Sequence, residues 1–453
     1  MGSRPRRRTN REGLLGNPVN ETLLYLFGIL IVALGIGFSI GWHELGHLIP
    51  AKLFGVKVPK YMIGFGPTLF SKKIGETEYG LKLIPLGGYI TMIGMYPPAK
   101  SPEVSGPRGF FRDMISSARN AHSEFVEPGD ENRRFYQLPV WKRMIIMFGG
   151  PVMNLILGVV LLTVALSGIG VSQVSTTVSE VSRCVPVVAT DQCTDASQAS
   201  PALAAGLEAG DKILAINGVD LVNWNEAGKL IKPGVVNQLS VLKVDGSKAS
   251  LSLTPITVQR PVIENGAVKL DASGKQVYGP KPVLGIILAA EIRPLSIGES
   301  LAASGQSVAQ VGQMILNLPQ QVAAVGQSTF GSEQRRADGP VSIIGIGQIA
   351  GEVASSSSTS FEEKIQSQLG ILASLNFALF AFNMLPLLPL DGGHVAGGVY
   401  EAIKKGIFRV LRKPNPGPAD TALLMPLTWV VFIALMAMSA LIIIADLVNP
   451  ISF

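Results

Sequence analysis

The stretch from Leu23 to His47, LLYLFGILIVALGIGFSIGWHELGH, decides the fold of this chain. Its first part, from Leu23 to Trp42, is apolar and uncharged, and about 20 such residues cross about 30 Å of hydrocarbon as a helix. The run is longer than the apolar region of a secretory signal and leads straight into His43 instead of a small-residue cleavage site. We therefore predict that it is retained as a membrane span.

Three further apolar runs follow along the chain. The runs from Met144 to Ile169 and from Leu423 to Ala445 contain no charged residue. The run from Leu369 to Leu390 carries two asparagines and two prolines, which predicts that its second half leaves the regular helix. Non-helical backbone at membrane depth is tolerated only where it is buried in protein or lines a cavity. The fold class predicted is a polytopic α-helical membrane protein with about four transmembrane helices.

The composition excludes other classes of protein. Of the 453 residues, 47% are hydrophobic and 15% are charged, against about 25% charged in an ordinary soluble domain, and the mean hydropathy is +0.37. These values argue against a disordered or nucleic-acid-binding protein. The net charge of +6 is explained more simply by basic loops beside anionic lipid than by phosphate binding.

The polar group His43-Glu44-Leu45-Gly46-His47 at the end of the first run can carry chemistry. On a helix, His43 and His47 project from the same face and can share a tetrahedral zinc ion, while Glu44 lies beside them to accept a proton from water. The alternative is a polar helix end without metal. It is disfavoured because such residues at the end of an apolar span are costly unless they are paired or bound to an ion.

A catalytic zinc ion needs a third protein ligand. Asp391 is the first carboxylate after a long uncharged stretch, and Gly392 and Gly393 would let the backbone bring it close to the first span. His394 is a competing ligand. Another interpretation is that Asp391 caps the helix that follows and His394 faces water.

Basic residues predict how the spans are oriented. The short loop from 395 to 422 carries five lysines or arginines, and together with the loop from 50 to 143 it is predicted to lie in the cytoplasm. The N-terminal tail carries five arginines and favours the opposite orientation. We side with the loops, so the segment from 170 to 368 is placed outside, where the pair Cys184 and Cys193 can form a disulfide; two free thiols are the alternative.

The alternation of apolar and polar residues and the turn signals in the outer segment predict a small β-rich domain. Its most distinctive stretch is SPALAAGLEAGDKILAINGVDL, which begins at Ser200. Further on, apolar residues from Ile297 to Val325 recur at helical spacing, which predicts an amphipathic helix.

Several motifs together resemble the site-2 protease family of intramembrane metalloproteases. They are HELGH in an apolar span, GFGP and PLGGY between the first two spans, GPVMN in the second, and N-x-x-P-x-x-x-x-D-G near the end. The chain is most similar to the bacterial branch with an extracytoplasmic PDZ domain, the regulator-of-sigma-E-protease type, whose PDZ signature the SPALAAGLEAGDKILAING stretch matches. The basic tail is unusual for that branch, and one PDZ domain is recognisable where some relatives carry two.

The resemblance implies a role for each motif. It implies that His43, His47 and Asp391 hold Zn2+ and that Glu44 is the general base and acid. It implies that Asn383 binds the substrate backbone or oxyanion and that Asn154 supports the site, although an asparagine in a span can equally hold helices together. The glycines of the first loop, Gly64, Gly66, Gly87 and Gly88, fit a membrane-dipping β-hairpin at about 60–95 that pairs with an extended substrate strand.

The function implied is a zinc-dependent intramembrane endopeptidase of the bacterial cytoplasmic (inner) membrane. Its expected substrates are single-span membrane proteins, such as anti-sigma factors or signal peptide remnants, already trimmed by a site-1 protease. The PDZ domain would read an extracytoplasmic peptide or a newly exposed substrate end. One alternative is a catalytically inert, membrane-anchored PDZ scaffold, and another is a transporter, which the lack of inverted-repeat symmetry disfavours.

The predicted domain organisation has five parts. These are a basic tail (1–22), the first half of the protease domain (23–170), the PDZ domain (171–260), a linker and amphipathic helix region (261–368) and the second half of the protease domain (369–453).

Overall fold

The computed structural model describes residues 18–98, 109–123, 125–185, 193, 199–221, 223–264, 267–268, 276–331, 335, 339–357 and 359–449. The chain divides into two compact units. One, here called the membrane unit, is formed by the residues up to Ile169 and from Leu295 onward. The other, the inserted unit, is Gly170–Pro294. Residues 1–17 of the basic tail lie outside the described residues, and residues 18–22 belong to the first helix.

The helices in chain order are α1 Pro18–Leu53, α2 Phe110–Ser123, α3 Val140–Thr163, α4 Pro201–Ala204, α5 Ala227–Leu230, α6 Ile297–Leu316, α7 Leu318–Phe330, α8 Ile343–Ser355, α9 Phe361–Asn383, α10 Asp391–Val410 and α11 Met425–Val448. The α3 helix continues into a π-helical turn, Val164–Ile169.

The strands are β1 Lys60–Ile74, β2 Thr77–Thr91, β3 Val171–Val181, β4 Lys212–Ile216, β5 Val219–Asp220, β6 Asn237–Leu242, β7 Lys248–Leu253, β8 Ile256–Pro261, β9 Ile263–Glu264, β10 Ala267–Val268, β11 Tyr278–Val283 and β12 Ile286–Arg293.

Within the described residues, four helices are long and apolar enough to cross a membrane. They cover Asn20–Leu53, Val140–Ile169, Phe361–Asn383 and Thr421–Val448. On the first and the last of these helices many apolar side chains face outward, as expected for spans surrounded by lipid: Leu34 on α1 is 66% exposed and Val430 on α11 is 64% exposed. The four runs identified in the sequence are therefore the four candidate spans.

The third candidate span differs in its bounds from the apolar run. The α9 helix begins at Phe361, where the Ser360 side chain and Glu363 form a capping box, and it ends at Asn383. The residues from 384 to 390 form turns, and α10 starts at Asp391. The prolines at 386 and 389 cannot continue the backbone hydrogen bonding of a helix, which explains why the run leaves the helix in its second half.

Two glycines allow the first two spans to pack closely. A Cβ atom on Gly149 of α3 would collide with the backbone of Gly46 on α1, and a Cβ on Gly46 would collide with the backbone of Gly149. Small residues let helix backbones approach in a membrane. This contact brings the HELGH end of α1 against the first half of the second span.

In the membrane unit, β1 and β2 pair antiparallel with several register irregularities. The glycines at 64, 66 and 87 have positive φ angles, 93°, 83° and 126°, which non-glycine residues rarely adopt. The pairing places Gly88 opposite Ile63, and β2 packs against α1.

The inserted unit is built on a sheet with the strand order β12-β3-β4-β6-β7, to which β5 is added beside β4. Its core consists of buried aliphatic side chains, among them Leu207, Ile213, Ile216, Leu239 and Val241. The unit extends to Pro294 because β12 pairs with β3, whereas the sequence placed the end of this domain at residue 260.

The segment from Ile297 to Val325 contains two helices instead of one. The α6 helix starts with a capping box made by Ser296 and Glu299. It ends at Leu316, and Pro319 lies in the first turn of α7. A proline is tolerated there because its missing N–H has no partner within the helix.

Candidate metal centre

Three side chains from two distant parts of the chain converge in the membrane unit. His43 Nε2 lies 3.2 Å and His47 Nε2 lies 3.3 Å from the same atom, Asp391 Oδ2. The two imidazole Nε2 atoms are 3.2 Å apart. Among the described residues these three form the group of possible metal ligands.

Each imidazole is held by its other ring nitrogen. His47 Nδ1 lies 2.7 Å from the carbonyl oxygen of Ile146, which can only accept, so Nδ1 carries the proton and Nε2 presents a lone pair. His43 Nδ1 lies 3.2 Å from the side-chain amide of Asn154. The Asn154 side chain is buried and its Oδ1 has no hydrogen-bond donor in the described structure. Turning the amide by 180° would let Oδ1 accept from His43 Nδ1.

The donor set fits a zinc ion. Asp391 Oδ2 is buried and, despite the two nearby Nε2 atoms, accepts no hydrogen bond among the described residues. A buried carboxylate oxygen without a donor is costly, and two lone pairs pointing at it add no stabilisation. A cation among the three atoms would compensate all of them, and two imidazoles with one carboxylate are a common ligand set of catalytic zinc.

Asp391 reaches this point from the turns after α9. It is the first residue of α10, and Leu390, not Asp391, is the N-cap residue. Gly392 and Gly393 pack tightly on these turns: a Cβ on Gly392 would lie 2.6 Å from Met384 O, and one on Gly393 would lie 2.6 Å from Leu388 N. The interpretation that Asp391 caps α10 is therefore wrong, since Asp391 is already a helical residue.

His394 lies away from this group. Its ring centroid is 6.2 Å from that of Tyr96, and it lines a small pocket with Met144 and Thr421. It is not among the described residues whose ligand atoms converge on Asp391.

Glu44 is buried on α1, 8% exposed, between the two histidines in sequence. The β2 strand runs beside it, since a Cβ on Gly88 would lie 3.0 Å from Glu44 Cγ and 2.8 Å from Ile40 Cγ2. Gly87, the preceding residue, faces the ring of Phe65. A Cβ atom on Gly87 would lie 2.8 Å from Phe65 Cζ. Of the four predicted strand glycines, Gly88 is therefore the one that lies against the HELGH helix.

Asn383 is the last residue of α9 and is partly buried. Its side chain makes no hydrogen bond within the described residues. The structure thus brings His43, His47, Asp391, Glu44 and Asn154 together. Asn383 lies eight positions before Asp391 and has no hydrogen-bond partner among the described residues.

Some contributors to the site could not be found from the sequence. Gly150 is one: a Cβ there would lie 2.8 Å from His43 Cε1 and would collide with His47 Nε2. The Ile146 carbonyl is another, because any residue type offers the same backbone oxygen. Trp42 also fastens the helix end, by donating from Nε1 to the carbonyl of Met153 at 3.0 Å.

The chain is similar to known proteins over almost its whole length. The model of Peptidase family M50 matches residues 31–413. The zinc metalloprotease Rip1 of Mycobacterium tuberculosis (strain H37Rv) is 29% identical, with 95% of this chain and 99% of that protein covered. The metalloprotease MmpA of Caulobacter vibrioides is 29% identical, with 85% and 90% covered. Since the matched region contains both imidazoles, Glu44 and Asp391, this chain belongs to peptidase family M50, the site-2 proteases, and is a zinc metalloprotease of multi-pass membrane architecture.

Proposed function

We propose that this metalloprotease is an intramembrane endopeptidase that cleaves single-span membrane proteins, with His43, His47 and Asp391 as its zinc ligands. The observation that carries the proposal is the convergence of these three side chains on one point. Two of the three lie on α1, inside the candidate span Asn20–Leu53. A hydrolytic site there can reach peptide bonds that soluble proteases cannot.

Each residue of the site has a distinct part in peptide hydrolysis. Zinc, when bound, acts as a Lewis acid for the scissile carbonyl and activates water for attack. Glu44 takes a proton from the attacking water and delivers it to the leaving amine. Asn154 and the Ile146 carbonyl hold the imidazoles so that their Nε2 atoms remain lone-pair donors.

The substrate is proposed to bind as an extended strand. A transmembrane helix has its amides in internal hydrogen bonds, so it must unwind before it is cut. Lys60–Ile63 pairs with Glu78–Leu81 on one side and with Gly88–Thr91 on the other. Gly88–Thr91 is therefore an edge of this sheet with which no other described strand pairs, and Gly88 lies beside Glu44. Strand addition would supply partners for the released amides, and Asn383 would bind a substrate carbonyl from the end of α9.

The inserted unit is proposed to be a PDZ domain that reads an extracytoplasmic peptide or the new end left by a prior site-1 cleavage. The SPALAAGLEAGDKILAING stretch forms α4, capped by Ser200, then β4 and a turn at Asn217 and Gly218. Asp211 is fully buried within it and its Oδ2 receives a hydrogen bond from Lys243 at 2.8 Å. Anti-sigma factors and signal peptide remnants are the substrates proposed.

The membrane is proposed to be the bacterial cytoplasmic (inner) membrane, with the inserted unit outside. In the structure, Cys184 and Cys193 form a disulfide with their Cα atoms 6.0 Å apart. Disulfides persist in oxidising compartments, which supports an extracytoplasmic position for this unit.

The test is a comparison of Glu44→Gln with the matched variant Glu21→Gln, an exposed glutamate on the same helix. Both are reconstituted in vesicles with a single-span reporter, and both zinc content and cleavage are measured. We expect Glu44→Gln to keep its zinc and to lose cleavage by at least 100-fold, since proton transfer contributes about 10²–10⁴-fold. Glu21→Gln should keep both.

Unchanged cleavage by Glu44→Gln would refute the role given to Glu44. Absence of cleavage by the unaltered protein, with zinc bound and several reporters offered, would favour the inert scaffold instead.

A further inference from the structure

The α10 helix presents an apolar face that no described part of the chain covers. Its members recur every three or four positions, as residues on one side of a helix do. Val410 is 82% exposed, and the full set is Val399, Tyr400, Ile403, Ile407 and Val410. Outside the candidate spans, such a row of exposed apolar side chains marks an interaction surface.

Basic residues flank this face. Between residues 404 and 413 the chain has five basic residues and no acidic one. Lys404 lies over the Tyr400 ring, 5.7 Å from its centroid, and Lys405 pairs with Glu401. The other three, Arg409, Arg412 and Lys413, are exposed and form no ion pair within the described structure.

The position of α10 fixes the depth of this surface relative to a span. Glu401, 1% exposed, accepts a hydrogen bond from Arg143 at 2.6 Å, and Gly398 packs against Met144, with 3.4 Å from a built Cβ to Met144 Cγ. Both partners belong to the first turns of α3, where the second candidate span begins. The neighbouring Trp141 is 56% exposed, and tryptophan is enriched at the membrane–water interface.

We propose that α10 docks on anionic phospholipids of the membrane that holds the protein. Its apolar face would lie among the upper acyl chains, and Arg409, Arg412 and Lys413 would bind headgroup phosphates. The absence of acidic residues on the exposed surface from 404 to 413 favours an anionic lipid over a zwitterionic one. The inference rests on the membrane spans and does not depend on proteolysis.

The experiment uses the full chain in nanodiscs and a nitroxide attached through Val410→Cys. The disulfide occupies both native cysteines, so the label is directed to position 410. Accessibility to oxygen, which dissolves in lipid, is compared with accessibility to a water-soluble nickel chelate. The lipids are phosphatidylcholine alone and an equal mixture with phosphatidylglycerol.

We expect the ratio of oxygen to nickel accessibility to be several-fold higher in the phosphatidylglycerol mixture. The triple variant Arg409→Gln/Arg412→Gln/Lys413→Gln should lose that increase. The control variant Lys229→Gln/Lys248→Gln/Lys281→Gln removes three exposed lysines from the inserted unit and should keep it.

Two results would overturn the proposal. Strong nickel accessibility in both lipids would show that the face is in water and is left to a protein partner. An equally high oxygen ratio in both lipids, unaffected by the triple variant, would show that the docking does not recognise anionic headgroups.

Discussion

His47 Nδ1 donates a hydrogen bond to the carbonyl oxygen of Ile146 over 2.7 Å. This bond crosses from α1 to α3 and fixes both the tautomer and the orientation of the ring. Because the acceptor is a backbone atom, the geometry of the site depends on how closely the two spans pack, and the Gly46–Gly149 contact sets that distance.

Removal of Asp391, the carboxylate proposed as a ligand, should release the metal. We expect Asp391→Ala to lower zinc affinity at least tenfold, about 1.4 kcal/mol, because two imidazoles alone leave the ion without its anionic donor. The measurement is zinc content of purified protein after titration with a competing chelator. His394→Ala is the control and should retain zinc; full occupancy in Asp391→Ala with loss in His394→Ala would identify the histidine as the ligand.

Asn154 should act on the metal through His43. We expect Asn154→Leu to weaken zinc binding by about 10–100-fold, the usual effect of removing a group that orients a ligand. The matched control is Asn376→Leu, another fully buried asparagine, which donates to Ser39 and not to an imidazole. Equal zinc affinity in the two variants would mean that Asn154 only joins helices.

Gly150 should be required for the shape of the site. Gly150→Ala places a methyl group against both imidazole rings, so we expect zinc content to fall while the protein remains folded in detergent. Gly168→Ala is the control, since a Cβ there meets only Val164 Cγ1 at an ordinary 3.9 Å. Retention of zinc by Gly150→Ala would show that the rings can move aside.

Acid should destabilise the ion-pair cluster after α1. Lys57 donates to Asp130 at 2.6 Å and to Glu127 at 2.7 Å, and the hydrogen bond from Lys57 lowers the pKa of Asp130. A lowered pKa in the folded state means that the stabilisation is fully present above the unfolded-state pKa of about 4 and is lost as the pH falls through the folded-state pKa.

The measurement for this cluster is the melting temperature in detergent as a function of pH. We expect Lys57→Met to lower the free energy of unfolding at pH 7 by about 1–3 kcal/mol, because it removes the Lys57 ammonium from the buried Asp130 carboxylate and leaves only the Glu127 amide and the longer Arg133 contact as donors. The variant should also lose less stability than the unaltered protein between pH 5 and the acid limit. Lys72→Met, an exposed lysine, should behave as the unaltered protein does; a parallel pH profile in Lys57→Met would refute the linkage.

The cysteine pair should report the compartment of the inserted unit. With Cys184 and Cys193 joined, a maleimide reagent added to denatured protein from intact cells should label neither residue before reduction and both after it. Labelling without reduction, in protein protected from oxidation during preparation, would place this segment in a reducing compartment.

Much of the candidate metal centre could be predicted from the sequence, because its residues stand at recognisable positions along the chain. His43 and His47 are one helical turn apart, and Asp391 follows a proline-broken apolar run. The start of α9 was harder to predict. Its first turn carries Glu362, Glu363 and Lys364, and the helix begins where a capping box forms. Apolarity alone had placed that beginning at Leu369.

Other features depend on contacts between distant residues, which spacing does not reveal. The Ile146 carbonyl has no sequence signature, because every residue has a backbone carbonyl. The ion pair between Glu401 and Arg143 joins residues far apart in the chain, and nothing in the sequence indicates that they meet. The extent of the inserted unit depends on a distant contact too, since β12 belongs to it through its pairing with β3, more than one hundred positions earlier in the chain.

That pairing has a consequence for how the protein tolerates change. Val171, at the start of the inserted unit, is opposite Arg293, at its end, and in the membrane unit the Leu295 amide donates to the Leu166 carbonyl at 2.9 Å. The polypeptide thus leaves the membrane unit and re-enters it at neighbouring positions. The inserted unit could therefore be lengthened, exchanged or deleted between residues 170 and 294 without moving His43, His47 and Asp391 apart.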